Sequence, residues 1–251
     1  MPDGDENFIV SIAAIVSIVF LFSMQSILSF LSQLAVHNDR EWFNAHKAEY
    51  QACHSRFVDF STEFIHRLGE YDPVIRDLQA KDCIWRIYRD TRFSKDKTPY
   101  KQWFGVFVAP KGGRKSLRGG YYVHLQPEHC LFAGGIWDPS PELLKALRKE
   151  IEANYDEVEE IMANPHFARY FTDFDTDYML KRVPAGFNPD FVHADWLKRK
   201  SFTFSCPLTD AEVCAPDFIT RAVDMAVAAK PMNDFLNYTF EEYGEFPARR
   251  C

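Results

Sequence analysis

The chain has 251 residues, a formal net charge of −7, and hydrophobic and charged shares of 47% and 26%. These are the proportions of a globular protein with one large or two small domains. The negative charge argues against a general nucleic-acid binder, whose affinity rests on phosphate neutralisation. Six cysteines with no C-x-x-C, and eight histidines with no H-E-x-x-H, give no support to a zinc, dithiol or other metal site.

The amino terminus is apolar. No charged residue occurs from Asn7 to Val36, and residues 8–22 form an almost wholly apolar block of about 15 residues, shorter than the roughly 20 that span a bilayer. The acidic flank Asp3, Asp5 and Glu6 argues against a secretory signal. Residues 1–24 therefore read as an apolar extension, with translation starting at Met24 as one version of that reading. The other reading is a membrane anchor through residues 8–34, with Arg40 and Lys47 keeping the domain in the cytoplasm. Residues 25–251 show no repeat, linker or composition shift and read as a single α+β domain.

Ile27, Phe30, Leu31 and Leu34 recur at helical spacing. Asn38 followed by Glu41 predicts a capping box, with His37 and Trp42 as a staple, opening a helix that Gly69 ends after Leu68. Its expected buried face is Phe43, Tyr50, Phe57, Phe60 and Phe64; with 23 phenylalanines the core is expected to be built on rings. Alternation then predicts strands at 83–88, 103–109, 121–126, 129–136 and 201–206, a mainly antiparallel sheet of about five strands packed with several helices. Ser140 and Pro141 are a helix cap and first position, and Pro231 is expected to break the terminal helix into a pair, 217–225 and 232–243.

Between Lys81 and Arg118 eleven Lys and Arg face three Asp, a local charge of +8 that leaves −15 for the rest. If Cys83, Trp85 and Ile87 point to the core, Arg86 and Tyr88 point to the other face. Tyr122 and His124 share one face of a later strand; a register that aligns them with Arg86 would join an arginine, two phenols and an imidazole. Arg86, Arg89, Arg92, Lys95 and Lys97, with Tyr88, Tyr122 and His124, are therefore the candidate ligand-binding residues. His124, which titrates near neutrality, is a weak candidate for proton transfer. No nucleophile–base pair follows from spacing, so no reaction is assigned and no cofactor is implied. Asp173, Asp175 and Asp177 resemble a calcium loop but lack its glycine and closing glutamate. With Asp90 and Asp96 they are expected to neutralise the basic segment.

Seven stretches carry a family resemblance: NDREWF (38–43), YRDTRFSKDKTPYK (88–101), GGYYVHLQP (119–127), GGIWDPSPELLKALR (134–148), LKRVPAGF (180–187), KSF around Ser201, and KPMNDFLN (230–237). With these the chain resembles the uncharacterised family called domain of unknown function 2461, from about Gln25 to about Tyr243. The resemblance implies a shared fold and a cytoplasmic setting; it supplies no catalytic residues. Two functions follow from the residues. One is a binder of, or enzyme acting on, a small anionic ligand, phosphorylated ones included, through an arginine-rich sheet face. The other is an interaction module that uses the basic hairpin loop 110–119 to meet a polyanion or an acidic protein surface.

Overall fold

A computed structural model describes residues 24–92, 94–176 and 178–247. The apolar block before Met24, with its extension or anchor reading, lies outside these residues, as does Asp177. Among the described residues no helix is long and apolar enough to cross a membrane.

Residues 24–36 form helix α1, which buries Ile27, Phe30, Leu31 and Leu34. The next helix, α2 (Arg40–Ala45), is capped by Asp39, whose carboxylate accepts from the Trp42 amide at 2.9 Å. The expected cap, Asn38, has a different role. Its amide donates to the Tyr100 carbonyl (3.0 Å) and accepts from the Tyr100 amide (3.1 Å), tying the helix entrance to the sheet edge. His37 does stack on Trp42, as the staple required. After a break at His46, α3 (Lys47–Leu68) buries Cys53, Phe57, Phe60, Phe64 and Leu68 along one stripe and ends at Gly69.

The described sheet has four antiparallel strands in the order β1-β2-β3-β4: β1 (Phe104–Val108), β2 (Gly120–Leu125), β3 (Cys130–Ile136) and β4 (Phe202–Leu208). The predicted strand at 83–88 is not one of them. Ala80–Cys83 is instead a helical turn, α4, and residues after it run beside β1 through single bridges only. Apolar residues at 83, 84 and 87 satisfy a turn followed by an extended segment as readily as an alternating strand, and burial of all three settles on the former.

Phe104, Val106, Tyr121, Val123 and Phe132 lie on the buried face of the sheet, under α3 and α10 (Phe218–Tyr243). The remaining helices are α5 (Pro141–Ala153), capped as expected by Ser140, then α6 (Tyr155–Ala163), α7 (Pro165–Ala168), α8 (Ala194–Lys198) and α9 (Asp210–Val213). Pro231 does not divide α10. It removes one backbone donor, but buried residues on both sides, Ala228, Ala229, Met232 and Phe235, hold the helix against the core.

Two asparagines lock α10 to the sheet. Asn233, 2% exposed, accepts from the Gly135 amide (2.9 Å) and donates to the Gly120 carbonyl (3.1 Å). One turn later Asn237 accepts from the Gly119 amide (2.7 Å) and donates to its carbonyl (3.1 Å). Gly135 adopts φ 99°, and a Cβ there would lie 2.0 Å from the Phe202 carbonyl oxygen, so only glycine fits. Replacing Asn233 with Ala orphans a buried donor and a buried acceptor. It is expected to lower unfolding free energy by about 3 kcal/mol in chemical denaturation, and Asn237→Ala by less.

Candidate functional site

Along the outer edge of β1 the chain turns back on itself. Ile84 bridges Val106 and Tyr88 bridges Tyr100, while the Trp85 amide donates to the Gly105 carbonyl (3.2 Å) and the Lys101 amide to Ile87 (2.8 Å). From the other side, loop 110–119 packs onto α4. Gly113, at φ 55°, has no room for a Cβ, which would meet Cys83 Sγ at 2.7 Å and the Asp82 carbonyl oxygen at 2.9 Å. Gly113 therefore serves close approach of two backbones, while Gly112 supplies the turn at φ 125°. That approach carries Arg114 to α4, where its Nη1 donates to the Lys81 carbonyl at 2.7 Å.

A cleft of about 490 Å³ opens there, between α3, α4 and the edge segment. Four cations line it: Lys81, Arg86, Lys101 and Arg114. Trp85, Val58 and Ile84 supply its apolar wall, and His54 completes the lining. Lys101 Nζ donates to the Arg86 carbonyl (2.7 Å) and stands 5.0 Å from the Trp103 ring centre. Among the described residues none of the four cations forms an ion pair. Burial, then the charges of Arg86 and Arg114, hold Lys101 below the ordinary lysine range. Burial likewise lowers His54, which packs edge-on to Phe104.

The eight residues proposed from the sequence fall into four places. Arg86 alone lines the cleft. Tyr88 packs against Tyr100 and Phe43, with half its surface exposed. In loop 89–98 both arginines are paired internally: Arg89 holds Asp96 (2.5 Å) and bonds the Thr98 hydroxyl, and Arg92 makes a two-pronged contact with Asp90 at 3.0 and 2.6 Å. These contacts hold both aspartates at a pKa of about 2, through hydrogen bonds from Arg92 to Asp90, and from the Thr98 backbone and Arg89 to Asp96. Lys95 and Lys97 are exposed, and Lys97 Nζ reaches the Thr91 carbonyl at 2.9 Å.

Tyr122 and His124 occupy the sheet face opposite the core. The Tyr122 hydroxyl and His124 Nδ1 are 2.6 Å apart, and His124 Nε2 lies 3.2 Å from Gln126 Oε1. A glutamine oxygen only accepts, so the proton sits on Nε2 and Nδ1 accepts from the phenol. Burial pushes His124 down and Tyr122 up. Their contact with the cleft passes through Trp85, which lies edge-on to Tyr122 (5.4 Å between ring centres) and also touches Trp103 and Phe107.

Two expectations about charge need correction. Asp173 and Asp175 do not meet the basic segment. Asp173 pairs with buried Arg199 (3.3 Å), and Asp175 accepts from Thr203 (2.7 Å) and Ser205 (2.9 Å) on β4. Loop 110–119 is also clasped, because Glu245 binds Lys111 (2.7 Å) and Arg118 (2.8 Å), with Arg118 stacked on Phe240. A larger groove of about 870 Å³ lies between α6 and α10, but Glu157, Glu160 and Asp234 give it the character of a solvated acidic helix face.

Sequence reasoning missed Lys81, Trp85, Lys101, Arg114 and His54 as one site. The charges were visible as a count, but their convergence depends on loop 110–119 folding back onto α4, for which Gly112-Gly113 is the single local signal.

Residues 26–235 match a family described as "Conserved hypothetical protein (DUF2461)". The chain belongs to this family. Neither the curated proteins nor the solved structures give a match. The family stretches divide by position. Those at 119–127, 134–148 and 230–237 contain the glycines and asparagines that fasten α10, whereas 88–101 supplies Lys101 to the cleft.

The clasp on loop 110–119 makes a pH prediction. Glu245 is lowered from 4.5 to about 2 by hydrogen bonds from Arg118 and Lys111. A carboxylate with a depressed folded pKa stabilises its contact above its unfolded value and loses it as pH falls towards 2. The Glu245 carboxyl resonance should titrate near 2, and Glu245→Gln should make loop 110–119 more susceptible to protease at pH 7.

Proposed function

We propose that the protein binds a small ligand bearing two or more negative charges in the cleft formed by Lys81, Arg86, Lys101 and Arg114. One observation carries this reading: four cations surround a single cavity, and among the described residues none forms an ion pair with a carboxylate. The charges of Arg86 and Arg114 disfavour the charged form of Lys101, and a bound polyanion offsets this while gaining charge-assisted hydrogen bonds. The arginines favour phosphate or carboxylate, whose paired oxygens their forks match. The reading is one of binding: the lining holds two amines and an imidazole but no hydroxyl, thiol or carboxylate beside them. Burial pushes the nearest thiol, Cys83, up to about 11, which leaves little thiolate at neutral pH. His124 acts in this reading as a positioning residue that fixes Tyr122 against Trp85.

The alternative, a polyanion-binding hairpin at 110–119, has less support. Lys111 and Arg118 are engaged by Glu245, and Arg114 is turned into the cleft. Nucleic acid is disfavoured by the acidic body, and a cytoplasmic setting rests on the family resemblance.

Calorimetric titration of the full chain with pyrophosphate tests the reading. Arg86→Ala should weaken binding about tenfold or more without lowering the melting temperature, while Arg92→Ala, outside the cleft, should leave binding unchanged. An anion beside His54 favours its protonated form. Binding should therefore raise the His54 pKa, and affinity should increase as pH is lowered through that titration. No heat of binding, or equal losses in both variants, would sink the assignment.

A further inference from the structure

The cleft has two unlike halves, and the cations explain one of them. Four charges converge from α4, the edge segment and loop 110–119, but Val58 and Ile84 form an apolar floor and Trp85 an aromatic wall. A free inorganic anion would leave that half in contact with water. Trp85 is also the best-supported side chain of the lining. Three rings hold it, at 5.4 Å from Tyr122, 6.1 Å from Trp103 and 6.3 Å from Phe107. Tyr122 is itself fixed by the hydrogen-bonded series through His124 to Gln126. Lys101 leans over Trp103 and also reaches the Arg86 carbonyl, so charged and aromatic halves share a boundary of fixed geometry. A held indole beside arranged cations meets a planar ring carrying phosphate with little ordering cost on binding.

Resting on the anion-binding reading, we infer that the ligand is a mononucleotide, with its phosphates on Lys81, Arg86, Lys101 and Arg114 and its base against Trp85. The volume of about 490 Å³ is that of a small-ligand site and accommodates a base, a ribose and two phosphates. A strand of nucleic acid fits less well. It needs cations tracking along a surface, and Arg92 of loop 89–98 and Lys111 of loop 110–119 are already paired with Asp90 and Glu245.

The test is a comparison of adenosine diphosphate, pyrophosphate and a short single-stranded oligonucleotide, titrated into the full chain without added metal ion. Base–aromatic stacking predicts that adenosine diphosphate binds about tenfold more tightly than pyrophosphate, and that Trp85→Leu removes most of that difference. Arg86→Ala should weaken both ligands together. An intermolecular NOE between the Trp85 indole and the adenine protons, measured on the wild-type chain, is expected irrespective of how the Trp85 variant folds. Equal binding of the two small ligands would overturn the nucleotide inference and leave the anion reading intact. Binding of neither would overturn both. Binding of the oligonucleotide but not the mononucleotide would overturn the inference in favour of a strand, and absence of the NOE would remove the base from Trp85.

Discussion

The structure depends on the buried amide of Asn233. A helix crossing a sheet normally contributes side-chain packing and leaves backbone pairing to the strands. Here α10 supplies both a donor and an acceptor to main-chain groups of β2 and β3, at Gly120 and Gly135. Each of those groups, buried and unpaired, would cost about 1–3 kcal/mol. The contact therefore fixes where α10 lies and, through Gly135, where β3 meets β2 and β4. With that register set, alternation assigns Val106 and Phe104 to the core and Gly105 and Phe107 to the opposite face. The edge segment inherits the same parity. Ile84 goes inward with Val106, and Trp85 goes outward to meet Tyr122.

Charge explains which basic residues remain available. Salt bridges on exposed loops contribute little to stability, with a median of about 0–1 kcal/mol, so Arg89–Asp96 and Arg92–Asp90 matter chiefly because they occupy those arginines. Glu245 does the same for Lys111 and Arg118. Lys95 and Lys97 stay exposed in the loop, whereas Lys81, Arg86, Lys101 and Arg114 share one cleft. Burial lowers the Lys101 pKa first, and the charges of Arg86 and Arg114 lower it further. A body that carries a net −7 could have placed a carboxylate among them. That it holds instead an apolar floor and a clamped indole is why a ligand with a ring and several charges suits the cleft.

Much of this fold was legible in the chain, and the failures have physical causes. The stripe of Phe57, Phe60 and Phe64 announced α3, and Ser140-Pro141 announced α5, because both signals are local. Residues 83–88 misled because a helical turn entering an extended segment buries nearly the same positions as a strand. Asn38 was assigned a capping role that its neighbour Asp39 performs, since short polar side chains in sequence compete for one cap. The cleft was only partly legible. Arg86 was in view, but Lys81 and Arg114 are brought together by a loop returning over about 30 residues, with little in local sequence to announce it. Likewise Asp173 and Asp175 found partners on the adjoining strand region, Arg199, Thr203 and Ser205, rather than in the basic segment.

The most direct measurement follows the arginine Nε–H resonances during titration with pyrophosphate. The account predicts that Arg86 and Arg114 shift together and saturably, while Arg89 and Arg92, bound to their own aspartates, stay in place. Shifts confined to Arg89 and Arg92, or to Arg118 in the clasped loop, would contradict the assignment of the cleft as the anion site.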